Sequence, residues 1–520
     1  MVAAFESLDQ MAREQGLRLG ERTAIVHEGG RLSYAELDRR VSRVANGLIA
    51  AGIRPGARIA LLDKNDPSFF ELMLGAVRAR AVLVPVNFRL AAPEVAYILE
   101  DAQAEMLFVG PDFVGLVEGI RHGLSSVRHI VAIAGGHADW PAFDAWRDTA
   151  DGRDPELGVS PEDVAVQMYT SGTTGHPKGA QLTHRNFLSL LPHAIERWGR
   201  WHDKDVVLVC MPLFHIAGSG WGIVGLYSGA TNLLLREVDP ALILRRIPEY
   251  RVTKILFVPA VILFLLETPG CAATDFSSLE LITYGASPIP LPVLERAIAV
   301  FGCGFAQLYG LTETTGAITY LPPEDHGAHA RERMKSCGRA MPGVELRIVD
   351  AAGKDLPTGE VGEVICRSPQ VMKGYWNLAD ATARAIRDGW FHTGDAGYMD
   401  GDGYLYIYDR VKDMIVSGGE NIYPAEVESA IFSHPAIADA AVIGVPDDKW
   451  GEAVKAVIVL KPDARLEADE LISFLRGRIA SFKVPKSVDF TRALPRNPSG
   501  KLLKRELRRP YWEGRERRVN

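Results

Sequence analysis

At 520 residues, with 47% hydrophobic residues and a formal net charge of −7, the chain can bury more than one core and lacks the basic surplus of a general nucleic-acid binder. Length predicts two to four domains or subdomains. Five cysteines, Cys210, Cys271, Cys303, Cys337 and Cys366, are odd in number and far apart, which fits free thiols in a reducing compartment and neither a disulfide framework nor a metal-ligand spacing.

Glu6, Asp9, Arg13 and Glu14 precede any apolar run, so no secretory signal is expected and a cytoplasmic location is. Short apolar stretches at 59–62, 81–86 and 106–109 read as strands, separated by helical patterns at 69–78 and 94–99, an α/β layout. Residues 164–168 form a further buried strand. After it comes Tyr169-Thr170-Ser171-Gly172-Thr173-Thr174-Gly175-His176-Pro177-Lys178-Gly179, and Thr183 can cap a helix through Asn186-Phe187-Leu188. Strand, glycine-rich turn and helix would gather N–H groups and hydroxyls around an anion, with Lys178 as a mobile positive charge. The spacing differs from that of the common nucleotide loop, since Pro177 stands five residues after Gly172.

Residues 206–235 carry no Asp, Glu, Lys or Arg and are long enough to span a bilayer. Pro212, His215 and glycines 218, 220, 222, 225 and 229 divide them into strand, loop and helix, so an integral membrane segment is not expected. The α/β alternation recurs over 206–284, with strands at 206–209, 231–235, 255–258 and 281–284. After Asp409 it restarts at smaller scale, with helices at 426–432 and 468–479 and strands at 440–444 and 454–460. That is an α+β lobe of about a hundred residues, a normal size for a domain. The tail carries Lys504, Arg505, Arg508, Arg509, Arg515, Arg517 and Arg518, which reads as a solvated helix end and leaves peripheral membrane contact open.

The 169–179 string resembles the signature loop of the AMP-forming acyl/aryl acid–CoA ligases, the acyl-adenylate-forming family that also holds peptide-synthetase adenylation domains and firefly luciferase. Gln307-Leu308-Tyr309-Gly310-Leu311-Thr312-Glu313 is similar to its second motif and His392-Thr393-Gly394-Asp395 to its third. Asp409-Arg410-Val411-Lys412-Asp413, with Gly418-Gly419-Glu420-Asn421-Ile422-Tyr423-Pro424, resembles its hinge region, and Pro495 through Ser499-Gly500-Lys501 its terminal lysine motif. The resemblance covers about 21–505. It implies a large N-terminal domain of two stacked β-α subdomains plus a small β-barrel, and a small mobile α+β C-terminal domain: 1–409, a hinge at 410–414, and 415–520.

The resemblance also assigns roles. Activating a carboxylate requires it to attack the α-phosphorus of ATP, and because both are anions the site must neutralise charge and hold an in-line geometry. Thr170, Ser171, Gly172, Thr173, Thr174, Gly175 and Lys178 would take the β- and γ-phosphates. Thr312 and Glu313 lie beside them, Glu313 holding Mg²⁺, which accepts few protein carboxylates. Gly285, Ala286 and Ser287 on one face and Tyr309 with Gly310 on the other would form the adenine slot. Asp395 suits the ribose diol, with a turn aspartate as the plainer reading, and Arg410 a ribose or phosphate oxygen. Lys501 would enter the site for adenylation, and Lys412 would be the pivot of a lobe rotation that brings Gly418 and Gly419 to a pantetheine tunnel. His215 matches an aromatic gate near the acyl group, or is a core histidine bonded to backbone.

The expected cofactors are ATP, Mg²⁺ and coenzyme A as co-substrate, and the expected partners a small carboxylic acid, ATP and CoA; a homodimer stays open. Nothing resembling a carrier domain follows Lys501, which favours free CoA over a carrier protein. Segments 215–226, 257–264 and 310–318 hold no ionised residue but Glu313, so a second substrate carboxylate would lack a partner there. This favours a fatty or aryl-alkanoic monocarboxylate, with an arylacrylate of coumarate or ferulate type as the alternative and a carrier-loading adenylating enzyme as the other. Gly225 is expected on the acyl-pocket wall.

Overall fold

The computed structural model describes residues 5–513 apart from 134, 136, 171–176, 288, 328, 329, 411, 412, 418, 419, 448, 449, 477 and 497–501. Contacts divide the chain into two units. The first comprises Met1–Pro288, Glu295–Glu345 and Arg367–Phe391, and the second Ile289–Leu294, Leu346–Cys366 and His392–Asn520. The boundary expected between 409 and 410 thus falls inside the second unit.

The first unit holds two large sheets. In one, the described strands run in the order Arg339–Ala340, Gly316–Leu321, Gly304–Leu311, Leu281–Gly285, Lys254–Phe257, Val206–Val209, Thr231–Leu234, Thr23–His27 and Gly30–Ser33. Its centre is parallel and its edges antiparallel. The other runs Gly374–Tyr375, Lys178–Thr183, Val164–Thr170, Val82–Pro85, Arg58–Leu62, Ala104–Val109 and His129–Ala132. Arg58–Leu62 is buried at every position, as expected of a parallel strand covered on both faces.

The charge-free run of the sequence forms walls of this interior. The 206–235 stretch becomes the strand Val206–Val209, the helix Ile216–Ser228 and the strand Thr231–Leu234, and among the described residues no helix is long and apolar enough to cross a membrane. Pro259 opens the helix Pro259–Glu267, where its missing N–H costs nothing.

The helices Leu8–Leu19, Tyr34–Ala50 and Ser68–Arg78 meet around Arg78, which is 1% exposed. Its Nε donates to Asp9 Oδ1 (2.6 Å), Nη2 to Asp38 Oδ1 (2.7 Å), and Nη1 to Ser42 Oγ (2.7 Å) and the Asp38 carbonyl (3.2 Å). Two carboxylates and four bonds compensate the desolvation of one guanidinium.

In the second unit, Trp390–Met399 enters as a strand whose residues 395–399 pair antiparallel with Leu405–Arg410, setting Asp395 opposite Arg410. The C-terminal part is a sheet of Glu420–Ile422, Ile415–Ser417, Gly451–Leu460 and Ile437–Asp447, with Ser487–Phe490 parallel beside Gly451–Leu460. Its alternation fills two cores. Val442, Ala456 and Ile458 face the helices Pro424–Phe432 and Ala468–Leu475, while Ala441, Ile443 and Val457 face Leu507 and Tyr511 of the helix Lys504–Trp512. The helix expected over 468–479 ends at Leu475, and Arg476 turns extended.

Candidate active site

The sequence reading of strand, loop and helix around the signature loop is corrected in one respect. A second strand, Lys178–Thr183, intervenes and pairs antiparallel with Val164–Thr170, with Thr170 opposite Lys178. The helix begins only at His184, where Thr183 Oγ1 accepts from the Asn186 N–H and Asn186 Oδ1 accepts in return from Thr183 N–H. The loop is therefore a hairpin connection. The helix that follows is separated from the loop by the strand Lys178–Thr183, and Lys178 stands at the loop's end.

Glu313 sits in the one-turn helix Thr312–Thr314 that follows the strand Gly304–Leu311, and it is 8% exposed. Its Oε1 accepts from Thr170 Oγ1 (3.3 Å) and from the hydroxyl of Tyr375 (2.9 Å), and its carbonyl accepts from Met372 N–H (2.7 Å). Oε2 carries no hydrogen bond among the described residues. Lys178 Nζ lies 5.1 Å from the centroid of the Tyr375 ring and forms no ion pair among the described residues. Carboxylate, hydroxyls and ammonium thus converge at one point. The unused Oε2 fits a Mg²⁺ ion, which takes one or two carboxylates and completes its shell with water and phosphate oxygens.

Thr312 opens the turn, and Thr314 Oγ1 braces it against Leu311 N and the Gly316 carbonyl (2.9 and 2.7 Å). Thr315 takes a left-handed φ of 55°. Gly310 cannot be replaced here, because a Cβ would lie 1.9 Å from the Gly316 oxygen.

The expected adenine slot has its two sides on neighbouring parallel strands, with Gly285 in register with Leu308. A Cβ on Gly285 would stand 2.3 Å from the Leu308 oxygen. Ala286 follows with φ 66°, a left-handed conformation costing a non-glycine residue about 1–2 kcal/mol, and Ala286 and Ser287 are exposed. Tyr309 and Gly310 are half-buried on the adjacent strand. Under the slot, Tyr284 OH and His326 Nε2 are 3.0 Å apart, while His326 Nδ1 meets the Pro322 carbonyl at 2.9 Å. A carbonyl only accepts, so Nδ1 carries the proton and Tyr284 donates to Nε2. Burial brings His326 down to about 4.

His215 caps the helix Ile216–Ser228. Its Nε2 is buried with no hydrogen-bond partner among the described residues, its ring leans on Phe214 at 4.3 Å, and burial, with the nearby Arg89, lowers it to about 4. Where the alternative reading expected a core histidine bonded to backbone, Nε2 makes no such bond among the described residues. A neutral, unsatisfied imidazole nitrogen in an aromatic surround with Phe214 and Phe88 is available to a ligand.

Gly225, expected to line the acyl pocket, instead faces the strand Thr231–Leu234: a Cβ would lie 2.1 Å from Asn232 Oδ1, and Asn232 Nδ2 already donates to the Gly222 carbonyl (2.8 Å). Gly225 lets the helix approach the sheet. Gly220 is on the roomier face, where a Cβ would meet only Ile216 at 3.7 Å.

In the second unit Asp395 is buried, and its N–H donates to Thr393 Oγ1 (3.0 Å), whose hydroxyl donates to the Val364 carbonyl (2.6 Å). Ser171, Gly172, Thr173, Thr174, Gly175, Lys412, Gly418, Gly419 and Lys501, and the side chain of Arg410, lie outside the described residues. Sequence reasoning missed Tyr375. Gly374-Tyr375-Trp376 was visible as an aromatic pair after a glycine, but only the pairing of Tyr375 with Ala180 brings it to Glu313.

A two-sheet α/β unit that brings a carboxylate and a threonine together, with a lysine beside them at the end of a glycine-rich connection, suits a phosphate-handling, nucleotide-using enzyme. Residues 12–376 match the AMP-binding enzyme family and residues 426–501 the AMP-binding enzyme C-terminal domain, and the chain belongs to that family. It is 41% identical over 501 residues to the fatty acid–[acyl-carrier-protein] ligase ScoC of Streptomyces coeruleorubidus, covering 96% of this chain and 95% of that one. It is likewise 41% identical over 490 residues to the feruloyl-CoA synthase of an Amycolatopsis species, covering 94% and 96%. The structure of ATP-bound MatB from Rhodopseudomonas palustris superposes with a TM-score of 0.89 at 32% identity, over 97% of this chain and 99% of that one. The protein is an AMP-forming acid–thiol ligase with ATP as its nucleotide.

Proposed function

We propose that the enzyme joins an apolar monocarboxylic acid, fatty or aryl-alkanoic, to coenzyme A. The acid's oxygen attacks the α-phosphorus, the bond to pyrophosphate breaks, and acyl-AMP forms; the CoA thiol, giving up its proton, then attacks the acyl carbon and AMP leaves. The observation that carries this is the convergence of Thr170, Lys178, Glu313 and Tyr375 in the first unit. Thr170 and Lys178 hold the β- and γ-phosphates, and Glu313 offers Oε2 to Mg²⁺, which would offset charge between the phosphates when bound. Gly285, Ala286, Ser287, Tyr309 and Gly310 frame adenine, and Asp395 with Arg410 takes the ribose. Lys501 stabilises charge on the carboxylate and α-phosphate during adenylation. A turn about Lys412, from a C-terminal domain beginning near 410, then exchanges Lys501 for Gly418 and Gly419.

The acyl chain runs past His215 along the face of the Ile216–Ser228 helix that carries Gly220. An arylacrylate is the second reading, favoured by the feruloyl-CoA synthase relative. A carrier-protein thiol is favoured as acceptor by the ScoC relative. The free thiols of Cys210, Cys303 and Cys366, each pushed up to about 12 by desolvation, suit a reducing cytoplasm.

The test is AMP release across acids of graded chain length and aromaticity, with CoA or a carrier protein as acceptor, alongside pyrophosphate exchange. AMP release that requires CoA and rises with apolar chain length is expected. In Lys501→Ala, exchange should fall by about two orders of magnitude or more while thioester formation from supplied acyl-AMP changes little. Equal loss of both half-reactions removes the assignment of Lys501.

A further inference from the structure

Arg58 opens the strand Arg58–Leu62 and is 9% exposed. A guanidinium so buried ordinarily faces a carboxylate, which offsets much of its lost hydration. Arg58 forms no ion pair among the described residues. Nε donates to Gln167 Oε1 (3.2 Å), Nη1 to the Gly56 carbonyl (2.6 Å) and Nη2 to Gln181 Oε1 (3.2 Å), all neutral acceptors. Its plane lies on the Trp376 indole, with Cζ 3.3 Å from the ring centroid. An arginine has five N–H donors, so two are left over. Burial brings the group down to about 10, in the direction of an under-compensated cation.

The neighbouring carboxylates are engaged elsewhere. Asp101 accepts the Tyr169 hydroxyl at 2.5 Å, and Glu105 is held by Arg128. Beside the guanidinium lies a cavity of about 360 Å³, lined by Arg54, Gly56, Arg58, Gln103, Glu105 and Trp376 among others. Arg54 is exposed and pairs with no carboxylate among the described residues. Two cations therefore border one cavity whose only acid already has a partner.

This place is distinct from the Glu313 cluster. Along Lys178–Thr183, Lys178 and Gln181 are three residues apart and project to opposite faces of the sheet. The two places share structure all the same, because Trp376 N–H donates to the Gly179 carbonyl (2.8 Å) and Tyr375 holds Glu313.

We propose that the cavity is a second oxyanion site, which takes a doubly charged phosphate, free or as a phosphomonoester, between the spare N–H groups of Arg58 and the guanidinium of Arg54. The planar fork and the pair of positive charges select a dianion over a carboxylate. Occupancy would act on the phosphate-handling hairpin through Gln181 and Trp376.

The experiment is isothermal titration of the full-length protein with its nucleotide site filled by Mg²⁺ and α,β-methylene-ATP, whose own binding is titrated first. Inorganic phosphate, glycerol 1-phosphate and acetate are added in separate arms at constant ionic strength. One saturable site for at least one of the two phosphates is expected, with acetate weaker by about tenfold or more. Arg54→Glu, an exposed change, should weaken phosphate by about tenfold or more and leave affinity for the analogue unchanged. Binding of inorganic phosphate alone identifies the free ion as the ligand, and binding of glycerol 1-phosphate alone the ester. No heat from either phosphate with the nucleotide site full, acetate equal to phosphate, or Arg54→Glu titrating as the parent each overturns the proposal.

Discussion

Around Arg78, two carboxylates, a hydroxyl and a carbonyl take up the N–H groups of one guanidinium that solvent barely reaches. Around Glu313, one carboxylate oxygen receives two hydroxyls while the other keeps no bond among the described residues, and the nearby Lys178 ammonium meets a ring rather than an anion. Both clusters bury charge in the first unit. The difference is whether the chain supplies the whole of the compensation. Where it does, the charge fixes three helices to one another; where it stops short, the remainder is left for a ligand.

The sharpest break of that comparison is Arg78→Ala. It leaves Asp38 without its cation and Asp9 with Arg13 alone, and should cost about 3–5 kcal/mol of unfolding free energy. Denaturant titration reads it, and activity per folded molecule should stay near the parent's. A loss below about 1 kcal/mol would mean that water replaces the guanidinium and that the network is not what joins these helices.

Glu313→Gln should show the reverse profile. Removing one fixed charge from a phosphoryl-transfer site costs about 3 kcal/mol of transition-state stabilisation, about a hundredfold in pyrophosphate exchange, with the midpoint of unfolding nearly unchanged. The amide keeps an oxygen for Thr170 and Tyr375. Exchange within about threefold of the parent would place Glu313 with the scaffold instead.

The most gradual effect, small at any one pH step, is a pH dependence of the scaffold. His184 is buried at the start of its helix, its Nδ1 accepts from Leu8 N–H (3.1 Å), and burial lowers it to about 4 from an ordinary 6.5. Between those values the unfolded chain binds a proton that the folded protein refuses, so stability is complete above about 6.5 and is lost as pH falls toward about 4. In His184→Asn, which retains an acceptor, the slope of stability against pH in that window should fall by up to about 1.4 kcal/mol per pH unit. An unchanged slope would mean that His184 titrates normally.

The motif residues and most strands were legible because their chemistry or periodicity is local. Val206–Val209 falls where the apolar run put it, and Thr183 caps the helix through Asn186 as expected. The strand Lys178–Thr183 was missed, although Ala180 and Leu182 alternate with Gln181 and Thr183, because glycine and proline at its start masked the period. Gly225 was assigned to a pocket on the strength of its smallness, but smallness serves helix–sheet approach as well, and only the position of Asn232 separates the two uses. Tyr375 and Arg58 were illegible for one reason: the side chains that place them, Glu313 and Gln167, are more than fifty residues away.

The register between Thr170 and Lys178 limits how this enzyme can vary. Closing a longer loop between two pinned ends costs only about 0.6 kcal/mol per doubling of length, so chain entropy does not hold the spacing between these strands. Register does. Moving Lys178–Thr183 by a single residue would carry the ammonium to the far side of the sheet, put Gly179 in its place, and separate Gln181 from Arg58. A single inserted residue within that strand would thus undo the Lys178 and Gln181 placements together, at a cost no flexibility elsewhere recovers.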